Sequence, residues 1–292
     1  MKVLFVASEC VPFIKTGGLA DVIGAVPKSL RPLGIEARVM LPCYPALQEI
    51  AETGEEIWSI ESLHGGPARL IAAHAQGINL LLLEASHLFD RPGNIYLDAD
   101  GIDWKDNALR FGALSRVAAL VAADGIGGWK PDVVHAHDWQ AGLVPAYLHQ
   151  MDRQTPPCVM TIHNIAFQGL FAPELMGVLE LSNALYTPEG LEFYGRLGFL
   201  KAGLVYADKI TTVSPTYARE IMQPEFGMGL EGLLTARRAD VSGILNGIDL
   251  DVWDPENDPA LVSGYSAKRL AAKAKNRDRL LTRFGLDAPQ NA

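Results

Sequence analysis

The sequence predicts an α/β protein built on a doubly wound, mostly parallel sheet. Two observations carry that expectation. Short apolar runs rich in β-branched residues alternate with longer helix-period segments, the pattern of right-handed βαβ units. Several of those runs are apolar nearly throughout (VLFVA at 3–7, LLLL at 80–83, CVMTI at 158–162), as strands covered on both faces require. With 292 residues, the chain suits one large domain or two smaller ones.

Taken in order, the first strand is expected at Val3–Ala7, followed by a glycine turn and a helix over Leu19–Leu33. Strands follow at Ala37–Leu41, Ala68–His74 and Ile78–Leu83. A helix over Lys105–Ala123 has Asp103 at its N-cap position. The strand Asp132–His137 leads to a helix over Gln140–His149, and the strand Cys158–Ile162 to a helix over Gly190–Ala207. Strand Lys209–Val213, helix Gly229–Arg237 and strand Val241–Leu245 complete the alternation. The stretch DLDVWDPENDP reads as a polar connector. It leads to a helix over Ala267–Phe284, with Gly285 placed to cap it and Pro289 to stop it. There is no internal repeat.

Composition narrows the function classes. The chain carries 34 Asp+Glu against 25 Lys+Arg, a net charge of −9, which disfavours general nucleic-acid binding. The charge is uneven: residues 267–292 hold 7 basic and 2 acidic residues, a net +5, leaving −14 for the rest. Few apolar anchors accompany that basic segment, so a solvated helix face is expected rather than a membrane arm. Cys10, Cys43 and Cys158 are too few and too scattered for a disulfide framework. No stretch approaches the ~20 apolar residues of a membrane span, and the first apolar run is too short for a signal peptide. A reducing cytoplasm is the expected setting.

Three constellations sit where strand ends place chemistry. The first is Lys15-Thr-Gly17-Gly18-Leu-Ala-Asp21, between the first strand and the first helix. Its glycines let backbone approach a phosphate, the helix end offers free N–H groups, and Lys15 supplies a cation. It matches neither GxGxxG nor the P-loop pattern, and a plain glycine turn with a surface lysine fits it as well. The second is His135-Ala-His137-Asp138-Trp139, with His163 and Asn164 at the end of the next strand. Strand periodicity puts both histidines on one face. Trp139 beside Asp138 suits either a sugar or a core position, and zinc would need His163 as a third ligand. The third is Tyr96-Leu-Asp98-Ala-Asp100-Gly-Ile-Asp103, read as turn and cap rather than a metal site. No Gly-x-Ser-x-Gly elbow supports acyl transfer.

These segments, in this order, resemble the bacterial glycogen synthases and plant starch synthases, retaining glucosyltransferases that use ADP-glucose. The resemblance runs through Ala7-Ser-Glu9-Cys-Val-Pro12, Lys15–Asp21, Asp103-Trp-Lys-Asp-Asn107 with Arg110-Phe111, and His135–Trp139. It continues through Thr161–Gly169, Thr212–Glu220, Pro224–Gly227 and Gly243–Asp249. It implies a Rossmann-like half of a GT-B enzyme, whose two domains face each other across a cleft. Residues 1–240 would form the N-terminal catalytic domain, and 241–292 a connector and helix leading to a nucleotide-binding domain beyond this chain.

By motif, the resemblance makes Lys15 the ADP-glucose-binding lysine, with Gly17 and Gly18 against the diphosphate. It places Asp138, His163 and Asn246 at the transferred glucose, His163 and Asp138 being the catalytic pair. Glu9, Asp21, Tyr96 and Asn164 become cleft residues on the acceptor side. The implied partners are ADP-glucose and an α-1,4-glucan, with no metal, no cofactor, no nucleic acid and no membrane; oligomeric state is not indicated. The basic pair and the glutamate that the family carries in its second domain lie outside these residues. The chain is therefore expected to fold, and to transfer glucose poorly by itself. The rival readings are an inactive glucan- or partner-binding domain and a zinc hydrolase on His135, His137 and His163.

Overall fold

A computed structural model describes residues 1–250 and 252–287. They fall into two compact units, Met1–Asn246 and the segment from Gly247 onward. Among the described residues no helix is long and apolar enough to cross a membrane.

The first unit is organised by one sheet. Its strands are β1 (Lys2–Val6), β2 (Glu36–Pro42), β3 (Glu55–Leu63), β4 (Gly66–Ala75), β5 (Ile78–Glu84), β6 (Val133–His137) and β7 (Cys158–Ile162). A small sheet is made by β8 (Leu170–Phe171), β9 (Glu192–Phe193) and β10 (Arg196–Gly198), after which β11 (Lys209–Thr212) and β12 (Val241–Gly243) rejoin the main one. The helices are α1 (Gly18–Leu30), α2 (Gln48–Glu52), α3 (Ser86–Phe89), α4 (Asn107–Asp124), α5 (Val144–Gln150), α6 (Phe199–Tyr206), α7 (Pro215–Glu220) and α8 (Glu231–Ala236).

The main sheet runs β12-β11-β7-β6-β1-β2-β5-β4-β3. From β12 to β5 every pairing is parallel; β4 alone runs the opposite way, making the β5–β4 and β4–β3 pairings antiparallel. The doubly wound, mostly parallel expectation is met, and the order places β1 between β2 and β6. The central strands are buried because both faces are covered: Leu4, Phe5, Val6, Val134, Ala136 and Met160 are almost wholly enclosed. The carboxyl ends of β1, β6 and β7 lie side by side, so the loops that leave them share one edge.

In this unit the structure departs from expectation at four places. The strand Glu55–Leu63 carries no clear sequence signal, because an edge strand interrupted by register shifts is half exposed and lacks a continuous apolar run. The helix expected over Gly190–Ala207 is only Phe199–Tyr206. Ahead of it, Tyr194 and Gly195, both at positive φ (50° and 76°), turn β9 into β10. Glycine is usual at both positions of such a turn and tyrosine is not, so the sequence does not signal the hairpin. The segment Gln140–His149 divides into a 3₁₀ turn at Trp139–Ala141 and α5. Lastly, Asp103 caps nothing: α4 starts at Asn107, and Asp103 bridges to Leu97. Asp106 precedes the helix, with its carboxylate gripped by Arg91 at 2.6 Å.

In the second unit, the connector folds on local polar contacts. Asp254 accepts from the Glu256 amide and the Asn257 side chain (3.0 and 2.6 Å), and Asn276 clamps Ser263 through its N–H and C=O (3.0 and 2.7 Å). A 3₁₀ segment, Ala267–Ala272, runs into α9 (Lys273–Phe284), so the single helix expected there is broken at Arg269. Gly285 caps α9 in the left-handed conformation, φ 60°. Pro289 lies outside the described residues.

Candidate functional site

Two corners are built at the shared strand edge. Leaving β1, the chain passes Ser8 and Glu9, both buried. The Glu9 carboxylate takes the amides of Thr16 and Gly17 (3.0 Å for Gly17), the Thr16 hydroxyl at 2.6 Å and the Tyr96 hydroxyl at 2.5 Å. Since Tyr96 gives its one proton to Glu9, the Ser8 hydroxyl donates to Tyr96 at 2.7 Å. Burial, with the Glu9 charge beside it, holds the Tyr96 phenol well above its usual range. Glu9 therefore ties the Lys15–Gly18 turn to the sheet.

The expectation that these turn amides wait open for a phosphate needs amending, because two of them are already satisfied. What stays open lies one step further on. The first-turn N–H groups of α1, at Gly18 and Leu19, have no acceptor within the helix. A Cβ built on Gly17 or on Gly18 would meet nothing within 4 Å. Neither glycine has a positive φ, so neither conformation nor packing asks for glycine here. The missing side chains leave room beside a helix N-terminus. Lys15 stands at this opening, its Nζ 2.7 and 2.8 Å from the two carboxylate oxygens of Asp21, and both side chains are about half exposed (53% and 51%).

The second corner joins β6 to β7. Asp138 has φ 54° and ψ −174°, a region that only glycine enters freely, and such strain costs on the order of 1–3 kcal/mol. Its geometry is held from both sides. The Asp138 amide donates to Thr161 O at 2.9 Å, and Oδ1 accepts from the amides of His163 (2.7 Å) and Asn164 (3.4 Å). Asn164 is exposed and accepts the Ala166 amide at 3.0 Å, folding its own loop. Burial pushes the Asp138 carboxyl up to about 7 against those two amides, and the Glu9 charge adds to the rise. Burial lowers His163 to about 4, opposed by the same Glu9 charge. Glu9 thus acts electrostatically on both catalytic candidates.

The histidines pack as a stack. His135 and His137 lie on one face, ring centroids 4.1 Å apart, against Phe5 at 5.1 and 5.9 Å. His135 Nε2 meets Thr161 Oγ1 at 2.6 Å, and His137 Nδ1 meets His163 Nε2 at 3.0 Å. Direct ring-to-ring hydrogen bonding leaves no place for an ion between the nitrogens. Among the described residues no group of three His, Cys, Asp or Glu is arranged to hold a metal. Asp98 likewise closes its own loop, accepting from the amides of Asp100 and Ile102 at 3.0 Å.

Trp139 takes the core position. It is 7% exposed, packed edge-on against Phe111 at 5.0 Å, and close enough to Gly169 that a Cβ there would sit 2.4 Å from the indole. Asn246 follows β12 and is exposed. Among the described residues it shares no hydrogen bond with His163 or Asp138.

Supporting residues emerge that no motif assigned a role. Arg110, 1% exposed, donates to Leu88 O and Ile95 O at 2.8 Å and to Asn107 Oδ1 at 2.7 Å. Asn107 Nδ2 in turn donates to Tyr96 O at 3.0 Å, so this pair anchors the loop that brings Tyr96 to Glu9. An arginine inside an otherwise apolar helix face was the available signal.

Comparisons with known proteins give the family and the fold. The family described as starch synthase catalytic domain matches residues 2–236. Glycogen synthase of Roseobacter denitrificans is 73% identical over all 292 residues, which cover 61% of its length. Glycogen synthase 2 of Bradyrhizobium diazoefficiens is 51% identical over 291 residues, 60% of its length. A solved structure, the catalytic domain of Starch Synthase IV from Arabidopsis thaliana bound to ADP and acarbose, superposes with a TM-score of 0.79 at 29% identity, covering 98% of this chain and 60% of that one. The chain spans about three-fifths of the length of the curated relatives it matches. With its parallel sheet, its open glycine turn and its histidine corner, this chain belongs to the starch synthase catalytic domain family.

Proposed function

We propose that this chain forms the acceptor- and glucose-binding half of a retaining glucosyltransferase, which moves glucose from ADP-glucose to the non-reducing end of an α-1,4-glucan in the cytoplasm. The observation that carries the reading is a glycine turn with vacant Cβ space beside a half-exposed lysine, with Asp138 and His163 at the ends of the next two strands on the same sheet edge. The relative bound to ADP and acarbose supports it, since those ligands pair a nucleotide diphosphate with a sugar chain.

In this reading, Lys15 and the first-turn amides of α1 face the diphosphate, where charge-assisted contacts are worth about 1.5–3 kcal/mol. The bond between glucose C1 and the phosphate oxygen breaks as the acceptor hydroxyl oxygen bonds C1 from the same face. The hydroxyl proton leaves with the diphosphate, so no carboxylate base is required and the spacing rule for paired carboxylates does not apply. His163 and Asp138 hold the glucose while positive charge builds on its ring. Asp21 orients Lys15, while Glu9 and Tyr96 keep the turn in place. Asn164 and Asn246 line the cleft on either side.

The test is ADP release from ADP-glucose by the chain extended to the length of its relatives. Release is expected to depend on added glycogen and to fall sharply in His163→Ala. Glycogen-independent release, or none, would reject the assignment.

A further inference from the structure

His137 is the most enclosed of the three stacked histidines, at 1% exposure. Its Nδ1 lies 3.0 Å from His163 Nε2, while its Nε2 is buried and, among the described residues, has no hydrogen-bond partner. One of the two facing nitrogens must donate and the other accept, and a neutral imidazole carries a single N–H. Burial and the two neighbouring histidines hold His137 well below its usual range, and therefore neutral at pH 7.

Two arrangements are possible. With the His137 proton on Nε2, a buried donor points at nothing, and leaving a donor unsatisfied costs roughly 1–3 kcal/mol. With the proton on Nδ1, His137 donates to His163 and only a lone pair is left unused, the milder defect because orphaned buried N–H groups are the rarer.

We infer that His137 is a positioning residue that fixes the tautomer of His163: by donating from Nδ1 it makes His163 Nε2 an acceptor, so that neutral His163 carries its proton on Nδ1. That inference rests on the reading of His163 as a group that touches the transferred glucose. His163 is partly exposed, and among the described residues its Nδ1 has no hydrogen-bond partner. The nitrogen left for a ligand is then a donor, suited to a sugar hydroxyl oxygen. The packed rings keep the donor in place: Phe5 lies nearly parallel to the His137 ring (14°), and His135, its ring centroid 4.1 Å from that of His137, is anchored through Thr161 to Thr211 (2.6 and 2.6 Å).

The tautomer is read without turnover. The 292-residue chain, labelled with ¹⁵N in its histidine rings, is examined at pH 7.5 by two-bond ¹H–¹⁵N correlation, with His163→Gln identifying the His163 signals. The parent is expected to show His163 protonated at Nδ1 and pyridine-like at Nε2. His137→Phe keeps an aromatic ring against Phe5 but removes the donor, and His163 should then move its proton to Nε2. His137→Asn places an amide N–H near the old Nδ1 and should restore the parent pattern. Protonation of His163 at Nε2 in the parent overturns the inference, as does an unchanged pattern in folded His137→Phe. Should that variant not fold, the parent and His137→Asn spectra decide. If the tautomer is as expected but kcat/KM of the enzyme-length His163→Gln is normal, the functional reading fails and the tautomer assignment stands.

Discussion

The glycine turn after β1 and the histidine corner after β6 and β7 share one sheet edge, yet their electrostatics are opposite. At the turn, Lys15 and Asp21 are both half exposed and ion-paired in water. At the corner, Asp138, His137 and His163 are buried enough for their charged forms to be disfavoured, with Asp138 pushed up to about 7 and His163 down to about 4. A wet, charged pair can exchange its partner for an anion at little cost. A dry corner of neutral donors and acceptors suits an uncharged sugar, and would stabilise positive charge strongly once Asp138 ionises. In the proposed reading, that difference gives the diphosphate to the turn and the glucose to the corner.

The largest expected effect comes from Asp138→Asn. Oδ1 can still accept from the His163 amide, but the ionisable group is gone. Steady-state kinetics on the enzyme-length chain should show kcat lower by roughly 10²–10³, the range for losing one preorganised electrostatic group. Stability should move the other way. A carboxyl whose folded pKa exceeds its unfolded 3.8 contributes most where it is protonated in both states, and that contribution is lost as pH rises from 3.8 through about 7. At pH 8 the asparagine variant should be more stable than the parent, by no more than about 4 kcal/mol. The advantage should shrink as pH falls toward 4, as chemical denaturation across pH would show. A less stable variant at pH 8 would break the contrast between the corners.

The histidines give the opposite slope. Their folded pKa values lie below 6.5, at about 3 for His135 and about 4 for His163. Their contribution is therefore present above pH 6.5 and is lost as pH falls toward 3. Unfolding between pH 6 and 4 should take up protons, measurable by calorimetry in buffers of different ionisation heat. Release of protons there would mean the rings are charged in the folded protein.

Glu9→Gln probes the turn from its buried side. It should cost roughly 1–3 kcal/mol of stability, because an amide cannot satisfy the amides of Thr16 and Gly17 and the two hydroxyls together. Lys15→Ala probes the exposed side. It should leave stability within about 0.5 kcal/mol while lowering kcat/KM for ADP-glucose roughly 10- to 100-fold. The smallest effect is expected of Asp21→Asn, a few-fold change in KM that fades with added salt, since both members of the pair are exposed.

How much of this was readable in the sequence follows from burial. Strands β1, β5 and β7 announced themselves because both faces are covered and their runs are apolar nearly throughout. Strand β3 and the β9–β10 hairpin did not, since one is a half-exposed edge and the other turns on a tyrosine in the left-handed region. The motifs singled out Lys15, Glu9, Asp138 and His163, and the edge on which they meet followed from parallel topology. The hydrogen-bond partners were out of reach. That Glu9 occupies the turn amides, that Arg110 pins the Tyr96 loop, and that Trp139 is core all depend on contacts between residues 7 to 87 positions apart. Asn246, named from its motif, is at the far strand of the sheet and is not drawn to the other candidates within the described residues.

The division between the two corners is tested most directly by calorimetric binding of ADP and of ADP-glucose to the enzyme-length chain and to its Lys15→Ala and His163→Ala variants. The lysine variant should weaken both ligands by the same factor, because both carry the diphosphate. The histidine variant should weaken ADP-glucose alone and leave ADP unchanged. Equal weakening of ADP and ADP-glucose by His163→Ala, or no weakening of either by Lys15→Ala, would contradict the assignment of glucose to the histidine corner and diphosphate to the glycine turn.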